Sequence, residues 1–321
     1  MTKSDKGNFS FQELTSDIIL DFYSPRQGEY RVGDSLKTNN EKSRFVILGI
    51  EESIGPIANN GLSGSERAFE SFLTVFLNSQ IHDQFDGTNF CVLGTIKQES
   101  VFSSVENARE KVQELDAFVF EILKKYVSYN QIPIVIGGGH NNAFPLIKWS
   151  AENGIINALN LDPHADCRET STRHSGNSFS VAIEQKILNR YAVLGLHEAF
   201  NNDYIRKFLV NNDVFHTFYE DYLMGERDLL TDLQNIIFEW NNIGKIGMEI
   251  DMDSIAGMPS SAFSPSGWSL DQVRTYLINA ARNLEITYLH LPEAAPNNEQ
   301  ENKITGKALT YLVRDFIRNT K

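Results

Sequence analysis

Residues 156–168 read INALNLDPHADCR, a mainly apolar run that ends in a cluster of charged side chains. A short run rich in Ile and Leu is typical of a strand buried on both faces of a parallel sheet. Asp162, His164 and Asp166 occupy alternate positions, so an extended backbone places all three side chains on one side. Taken alone, this cluster is either a solvated strand end or a set of metal ligands.

The rest of the chain repeats this pattern, with longer amphipathic segments between the apolar runs. Seven segments predict buried strands: RFVILGI (44–50), NFCVLGT (89–95), IPIVIGG (132–138), INALNLD (156–162), YAVLGL (191–196), KIGMEIDMD (245–253) and ITYLHLPE (286–293). An eighth segment, DVFHTFYED (213–221), predicts a strand more weakly. Helical spacing of apolar residues predicts helices over 65–79, 103–127, 270–283 and 307–319. Together they predict an α/β fold with three αβα layers around an about eight-stranded, mostly parallel sheet.

The domain organisation follows from the length of the chain and from its uniform texture. No internal repeat and no Pro/Ser-rich linker interrupts residues 44–321, which we expect to form a single catalytic domain. Residues 1–43 are more polar. We expect them to form an N-terminal extension that packs on this domain.

The composition excludes several classes of protein. The chain of 321 residues has a net charge of −13 and a pI near 5.0, whereas non-specific nucleic-acid binders carry a basic field. The polar start MTKSDKGNFSFQEL lacks the apolar run of a signal peptide, and no segment has the roughly 18 apolar residues of a membrane helix. Cys91 and Cys167, the two cysteines, fit a reducing compartment rather than a disulfide framework. We therefore expect a cytoplasmic protein without nucleic-acid or membrane partners.

Polar side chains follow four of the predicted strands at the same end of each strand. His140 follows IPIVIGG, residues 162–166 follow INALN, Asp251 and Asp253 close KIGMEIDMD, and Glu293 closes ITYLHLPE. The carboxyl ends of parallel strands meet at one rim of an open sheet, where ligands bind. We therefore interpret these residues as one candidate site.

Two of these motifs also have other interpretations. DMD (251–253) could be a loop or part of a calcium loop, but Ile255 and Ala256 stand where an EF-hand has a polar ligand and a glycine. The glycines 137–139 could bind a dinucleotide, but Asn142 stands where that motif has its third glycine. These glycines are better interpreted as positions where the backbone approaches a ligand closely.

Four aspartates and two histidines are too many for one ion of ordinary coordination and suit two ions that share carboxylates. Oxygen ligands with few imidazoles favour Mn²⁺ over zinc. Two ions about 3.5–4 Å apart lower the pKa of a bridging water and generate hydroxide at neutral pH. The residues therefore predict a metal-activated hydrolase.

The same residues resemble the ureohydrolase family, which includes arginases, agmatinases and formiminoglutamases. That family has GG-x-H, D-x-H-x-D and D-x-D segments and a late glutamate, matched in order by GGGH (137–140), DPHAD (162–166), DMD (251–253) and PEAAP (292–296). The resemblance spans residues 44–320 and implies an arginase/deacetylase-like fold. Members of the family commonly form trimers or hexamers, so the resemblance also leaves open a homo-oligomer.

The resemblance implies a role for each residue of the candidate site. Two Mn²⁺ ions per chain would be held by His140, Asp162, Asp166 and Asp251 and by Asp162, His164, Asp251 and Asp253. Asp166 would also accept a hydrogen bond from the bridging hydroxide and relay its proton. Glu293 would pair with the cationic amidine or guanidine of a small-molecule substrate. Attack of the hydroxide on the sp² carbon would then expel an amine or ammonia.

Departures from the arginase pattern indicate the substrate class. Gly139 replaces the aspartate of GGDH, Arg168 replaces an asparagine, Phe179 in SGNSF replaces a histidine, and Ala256-Gly257 replaces Asp-Pro. These departures look like the formiminoglutamase branch. The implied reaction converts N-formimino-L-glutamate and water into L-glutamate and formamide, a step of histidine degradation.

Arg168 provides a bidentate fork for a substrate carboxylate. N-Formimino-glutamate has two carboxylates, so we predict that Arg168 binds one of them, together with Arg173, Ser175 and Asn177. The alternative is that Arg168 pairs with a local acid such as Glu169.

Three nearby residues have open or structural interpretations. His174 could serve as the proton shuttle in place of the histidine that Phe179 replaces, or it could make a surface contact. His197 is expected to make structural hydrogen bonds at a strand end. Cys167 is expected to pack in the core, because no neighbouring base pattern would activate it as a nucleophile.

Three alternative functions remain at this point. The first is an arginase-like or other guanidino-compound hydrolase of the same family, acting on arginine, agmatine or a guanidino acid. The second is a deacetylase with a single zinc ion on a similar fold, against which His140 and Asp253 argue. The third is a non-catalytic descendant that keeps the fold as a binding module.

Overall fold

Ten strands form one sheet within residues 3–5, 7–36, 38, 42–102 and 104–321, the parts of the chain that a computed structural model describes. The strands are β1 (Lys3–Asp5), β2 (Phe9–Glu13), β3 (Phe45–Glu51), β4 (Phe90–Gln98), β5 (Ile132–Ile136), β6 (Ile156–Leu161), β7 (Arg190–Leu196), β8 (Phe215–Phe218), β9 (Lys245–Ile250) and β10 (Ile286–Leu291). Strands β3 to β10 correspond to the eight predicted strands and pair in parallel with one another. The predicted, mostly parallel sheet is therefore confirmed.

The N-terminal segment supplies the remaining two strands at one edge of the sheet. β2 pairs antiparallel with β4, and β1 pairs antiparallel with β2. Phe9 and Phe11 of β2 are buried in the core. Part of the predicted extension lies outside the described residues, namely residues 1, 2, 6, 37 and 39–41. Its division from a single domain of residues 44–321 stays a prediction.

Helices connect the strands and cover the sheet. In the described parts of the chain they are α1 (Ser16–Phe22), α2 (Val32–Ser35), α3 (Ile54–Ala58), α4 (Ala68–Phe76), α5 (Val105–Tyr126), α6 (Ala143–Ala151), α7 (Ser178–Glu184), α8 (Asp203–Asn211), α9 (Tyr219–Leu223), α10 (Leu229–Glu239), α11 (Leu270–Asn283) and α12 (Glu299–Asn319). The four predicted helices correspond to α4, α5, α11 and α12, although Ser103, the predicted first residue of α5, lies outside the described residues. None of the described helices is long and apolar enough to cross a membrane.

The start of α12 differs from the prediction for a local reason. The apolar spacing predicts a helix from Lys307, whereas the observed helix begins at Glu299. The side chain of Asn298 accepts a hydrogen bond from the backbone N–H of Glu301 and caps the helix there. Residues 299–303 are polar and none of them is buried, so apolar periodicity alone does not detect the start of the helix.

Two hydrophobic cores lie on opposite faces of the sheet. In β3, Phe45 and Ile47 pack into one core while Val46, Leu48 and Ile50 pack into the other, as the alternation of a strand requires. One core also contains apolar side chains of α4, α10, α11 and α12, and the other those of α5, α6, α7 and α8. This arrangement confirms the three αβα layers.

The order of the strands brings the candidate site together. The sheet runs β1-β2-β4-β3-β5-β10-β9-β6-β7-β8, so β5, β10, β9 and β6 are consecutive neighbours near its middle. These are the four strands whose carboxyl ends precede His140, Glu293, Asp251 and Asp162. Residues far apart in the sequence therefore meet at one rim.

Candidate metal centre and its pocket

A glycine turn at the end of β5 positions His140. Gly137 and Gly138 have φ angles of 85° and 69°, a left-handed conformation that favours glycine. A Cβ on Gly138 would lie 2.6 Å from the Asn142 amide nitrogen and 2.9 Å from the Glu52 carboxylate. The turn therefore requires glycine both for its backbone and for the space beside it.

Glu52 holds this turn from the neighbouring strand β3. Its fully buried carboxylate accepts hydrogen bonds from the Gly139 backbone at 2.8 Å and from the Asn142 amide at 2.7 Å. It also accepts from the backbone N–H of Ile54 at 2.6 Å, at the start of α3. Glu52 thus ties the loop after β3 to the loop that carries His140.

The imidazole of His140 lies among three aspartates. Its Nδ1 lies 3.0 Å from Oδ2 of Asp251, 3.1 Å from Oδ2 of Asp162 and 3.1 Å from Oδ2 of Asp166. One ligand atom from each of the four buried residues lies within 4.8 Å of the others, a spacing that suits a single metal ion. The backbone of Asp166 has a φ of 48°, rare for a residue other than glycine and characteristic of a functional constraint.

His164 and Asp253 extend this cluster on its other side. The Nδ1 atom of His164 lies 3.6 Å from Asp162 Oδ1 and 3.7 Å from Asp253 Oδ2. Asp251 Oδ1 accepts a hydrogen bond of 2.7 Å from the Asp253 backbone. Asp162 thus lies between the His140 side and the His164 side and presents one oxygen to each, whereas Asp251 faces His140 with Oδ2 and holds the Asp253 backbone with Oδ1.

Burial and mutual repulsion make this cluster costly without a cation. Burial raises the pKa of Asp166, Asp251 and Asp253, and nearby carboxylates raise it further for each of them. Asp162 is the exception, because His140 and His164 lower its pKa in spite of burial. Buried carboxylates that converge in this way are stabilised by bound metal ions. The donor set, four aspartates with two imidazoles, fits hard divalent cations such as Mn²⁺.

We expect the stability of the metal-free protein to fall as pH rises. Burial, together with Asp253, raises the pKa of Glu293 from 4.5 to about 8. Burial opposes protonation of His164, but Asp162 raises its pKa from 6.5 to about 9. Between about pH 6.5 and about pH 9 the folded chain therefore holds protons on these two groups that the unfolded chain has released, and the free energy of unfolding decreases with pH.

Thermal unfolding in a chelator and in excess Mn²⁺, across this pH range, checks the prediction. The midpoint in chelator should decrease with rising pH. Mn²⁺ should raise the midpoint most at the alkaline end, because metal binding requires deprotonated ligands. A midpoint in chelator that rises throughout the range would contradict the prediction.

Glu293 lies beside the cluster in a constrained conformation. Its φ is 68° and its side chain is buried. One carboxylate oxygen accepts a hydrogen bond of 2.6 Å from the His140 backbone, and the other accepts one from the Ser261 hydroxyl. Two separate donors therefore fix the orientation of this carboxylate at the rim of the cluster.

A cavity of about 200 Å³ opens above these carboxylates. Its lining combines the site residues with the loop after α3 and includes Pro56, Asn59, Asn60, Gly61, His164, Asp166, Arg168, Ser175, Phe200, Asp251, Asp253, Ser261 and Glu293. Arg168 and Ser175, predicted to bind substrate, thus both face this cavity.

The guanidinium of Arg168 is available for a ligand. Within the described residues it makes no hydrogen bond or ion pair, so pairing with Glu169 is not observed. The aliphatic part of the side chain lies against Gly176, where a Cβ would be 3.0 Å from Arg168 Cδ. The Arg168 backbone N–H donates to the Gly176 carbonyl at 2.9 Å. Gly176 therefore provides the flat surface along which Arg168 reaches the cavity.

Comparison with known proteins agrees with this geometry. The profile of the arginase family matches residues 44–318. The chain belongs to the arginase family. A curated relative, the formimidoylglutamase of Streptococcus pyogenes serotype M3, is 23% identical over 316 residues, covering 92% of each chain. The recognition of this family from its motifs is therefore confirmed.

Solved structures show the same fold. The formimidoylglutamase of Bacillus subtilis superimposes with a TM-score of 0.76 at 16% identity, covering 92% of this chain and 94% of that one. The formiminoglutamase of Trypanosoma cruzi with Mn²⁺ gives a TM-score of 0.69 at 19% identity, covering 90% and 99%. The arginase-like fold is therefore confirmed.

Two residues of this arginase-family chain do not lie where the motifs predict. Arg173 and Asn177 are buried and do not line the cavity. The Arg173 guanidinium donates to both oxygens of Asp116 at 2.8 and 3.1 Å, to Asn177 and to the Asn141 carbonyl. We therefore correct their predicted role from substrate binding to support of the loop next to His140.

Phe179, at the position of the missing histidine, belongs to the wall of the site. Its buried ring stacks on Tyr191 with centroids 4.2 Å apart and meets the edge of the His140 ring at 5.3 Å. An apolar ring at this position cannot transfer a proton. It packs edge-on against the imidazole of His140 instead.

His174 and His197 are both structural. Burial and the charge of Arg173 lower the pKa of His174 to about 4, and its Nδ1 accepts a hydrogen bond from the Gly176 backbone at 3.2 Å. This neutral, buried ring does not line the cavity, so the prediction of a proton shuttle at His174 is not supported. His197 stacks with Phe200 and Tyr219, and its backbone bonds to the Pro163 carbonyl. Cys167 is buried in the core, as expected.

The sequence interpretation missed Glu52, Glu249 and His290. A signal existed for each: Glu52 follows a buried strand at the functional rim, and Glu249 and His290 are polar residues inside buried strands. Glu249 also alternates with Asp251 and Asp253, which places it on their side of the chain.

Proposed function

We propose that the chain is a binuclear manganese hydrolase that converts N-formimino-L-glutamate and water into L-glutamate and formamide. Family membership and the formimidoylglutamase relatives indicate a hydrolase acting on C–N bonds of amidines. One observation carries the proposal of this substrate: a single cavity holds the carboxylate cluster at its base, Glu293 beside it and the unpaired Arg168 at its side. These groups are complementary to water, an amidinium and a carboxylate respectively.

The residues present fit two metal ions. His140, Asp162, Asp166 and Asp251 would hold one, and Asp162, His164, Asp251 and Asp253 would hold the other. Bound Mn²⁺ supplies an activated water at neutral pH and polarises the group under attack. The T. cruzi formiminoglutamase structure contains Mn²⁺. That observation supports manganese as the metal of this chain.

The chain's own carboxylates orient the amidine and move the proton. Glu293 faces the place of the substrate cation, where its fixed carboxylate pairs with the amidinium and holds the sp² carbon next to the cluster. Asp166 lines the cavity beside the cluster, so its carboxylate would take up the proton that the attacking water loses. The proton then passes to the leaving nitrogen, which departs as the amino group of L-glutamate.

Arg168 is better suited to bind a dicarboxylic substrate than to bind agmatine. A planar guanidinium binds a carboxylate through two charge-assisted hydrogen bonds. The amide groups of Asn59 and Asn60 and the hydroxyl of Ser175 line the same cavity and provide neutral donors beside it. A cationic substrate tail would meet Arg168 with charge repulsion instead.

A comparison of substrates tests the proposal. The Mn²⁺-loaded protein should release formamide and L-glutamate from N-formimino-L-glutamate, with much lower kcat/KM on arginine, agmatine and guanidino acids. Urea from arginine without formamide would show the arginase-like alternative. A protein that binds no metal and hydrolyses no amidine would be a non-catalytic binding protein. The predicted trimer or hexamer and the cytoplasmic location stay predictions.

Replacing Arg168 with Ala is expected to lower kcat/KM for N-formimino-L-glutamate about 10- to 100-fold, mainly through KM. Charge-assisted hydrogen bonds contribute about 1.5–3 kcal/mol, and each 1.36 kcal/mol corresponds to about tenfold. Steady-state kinetics on this substrate, with agmatine as an internal control, measure the effect. Arg168→Lys keeps the positive charge but loses the two-pronged hydrogen bonding of the guanidinium, so its kcat/KM should lie between those of the wild type and Arg168→Ala. An equal loss on both substrates would contradict carboxylate recognition by Arg168.

A further inference from the structure

A buried polar network lies directly behind His140. Glu249 on β9 and His290 on β10 are fully buried, and Glu249 Oε2 lies 2.6 Å from His290 Nδ1. The Tyr288 hydroxyl donates to Glu249 Oε1 at 2.7 Å. Nε2 of His140, the ring nitrogen that faces away from the aspartates, lies 3.4 Å from Glu249 Oε2. One carboxylate therefore connects three side chains behind the metal centre.

The sheet itself builds this network. Glu249 and His290 are direct partners in the pairing of β9 with β10, so their side chains leave the sheet on the same face. Tyr288 reaches Glu249 across Gly247, where a Cβ would lie only 2.3 Å from the tyrosine ring. Glycine at this position leaves the space that the tyrosine ring fills. Several residues on two strands thus combine to hold one buried carboxylate.

We propose that Glu249, anchored by His290 and Tyr288, is a positioning residue that orients the imidazole of His140 for metal binding. A neutral imidazole has one N–H donor and one acceptor nitrogen, and a hydrogen bond at one nitrogen selects the tautomer that presents the other to a metal. A proton on Nε2 of His140, held 3.4 Å from Glu249 Oε2, leaves the Nδ1 lone pair directed at Asp162, Asp166 and Asp251. The identity of the metal rests on the proposed function.

The same three groups could also be taken for a further metal site. Ligand atoms of His140, Glu249 and His290 lie within 4.8 Å of one another. However, the 2.6 Å separation of Glu249 and His290 is that of a hydrogen bond. His140 also directs its other nitrogen at three aspartates. A supporting network therefore explains the geometry with fewer ions.

Titration of the metal-free protein with Mn²⁺ tests this role without any turnover. Glu249→Leu removes the acceptor and should weaken the ion on the His140 side about 10- to 100-fold, the usual effect of losing a partner of a metal-bound histidine. The ion on the His164 side should keep its affinity. At limiting Mn²⁺ the stoichiometry then falls from two ions to one, and electron paramagnetic resonance shows isolated Mn²⁺. Glu249→Gln keeps an oxygen acceptor, so its affinity for the ion on the His140 side should fall less than that of Glu249→Leu.

A second pair of variants tests the network without changing Glu249. His290→Asn keeps an N–H donor near the place of Nδ1 and should bind both ions almost as well as the wild type. His290→Leu removes the donor and should weaken the His140-side ion as Glu249→Leu does. Thermal unfolding in chelator checks that each variant is folded.

The inference and the proposed function fail in different ways. A wild type that binds two ions, with Glu249→Leu and His290→Leu binding both equally well, overturns the positioning role alone. Equal weakening of both ions also overturns it, because general damage to the fold would act in this way. A third Mn²⁺ that is lost in these variants would show a metal site instead. A wild type that binds no Mn²⁺ overturns the proposed function and the inference together.

Discussion

Asp251→Asn is expected to lower kcat on N-formimino-L-glutamate by at least about a thousandfold. Asp251 Oδ2 lies 3.0 Å from Nδ1 of His140 and its Oδ1 accepts from the Asp253 backbone, and in the proposed binuclear centre its carboxylate is shared by both ions. A metal ion contributes several kcal/mol to catalysis, and each 1.36 kcal/mol corresponds to about tenfold in rate. An amide has one weak acceptor oxygen and no charge, so it cannot join two cations. Metal analysis should show a loss of bound Mn²⁺ in parallel with kcat.

A remote aspartate provides the matched control for this variant. Asp315 on α12 is also buried, and its carboxylate accepts a 2.7 Å hydrogen bond from Arg274 far from the cluster. Asp315→Asn removes the same charge and should lower thermal stability while leaving kcat and metal content unchanged. Asp251→Asn with wild-type kcat and two bound ions would contradict the role of Asp251 as a shared ligand.

Glu293→Gln is expected to lower kcat/KM about 100- to 10,000-fold while leaving metal content unchanged. The carboxylate is oriented by the His140 backbone and by Ser261, and in the proposed function it pairs with the substrate cation. Charge-assisted hydrogen bonds contribute about 1.5–3 kcal/mol each, and two of them join a carboxylate to an amidinium. Glutamine keeps the length of the side chain and an acceptor for the backbone N–H. The loss therefore reports mainly the negative charge.

Glu293→Gln also distinguishes a role of Glu293 in substrate binding from a role in holding the metal centre together. Glu285→Gln, at the exposed residue that precedes β10 and therefore at the opposite end of that strand, serves as the control and should behave as the wild type. Loss of Mn²⁺ from Glu293→Gln would show that Glu293 supports the metal centre rather than the substrate. Unchanged kcat/KM with full metal content would show that the substrate cation binds elsewhere.

The fold and the cluster were accessible to sequence interpretation because both depend on local patterns. Parallel strands buried on both faces have continuous runs of apolar residues, and the seven such runs and the weaker eighth segment all form strands. Asp162, His164 and Asp166 are adjacent in sequence, and the rule that ligands gather at the carboxyl ends of strands connects them to His140 and Asp251. The prediction that these residues converge needed no knowledge of helix packing.

The errors involve partners that are distant in sequence. The sequence places Arg173 near Arg168 and so predicts that it binds substrate. Its guanidinium instead pairs with Asp116 on α5, which is 57 residues away in the sequence. No local pattern shows that pairing. Glu249 and His290 were missed because each looks like an isolated polar residue in an apolar strand. Their meaning appears only when β9 and β10 are placed side by side.

Anomalous diffraction at the manganese edge, from crystals of the Mn²⁺-loaded protein, tests the binuclear centre directly. A binuclear centre gives two peaks about 3.5–4 Å apart, one beside Nδ1 of His140 and one beside Nδ1 of His164, with Asp162 and Asp251 between them. A single peak with two aspartates and one histidine, or no peak at this rim of the sheet, would contradict it.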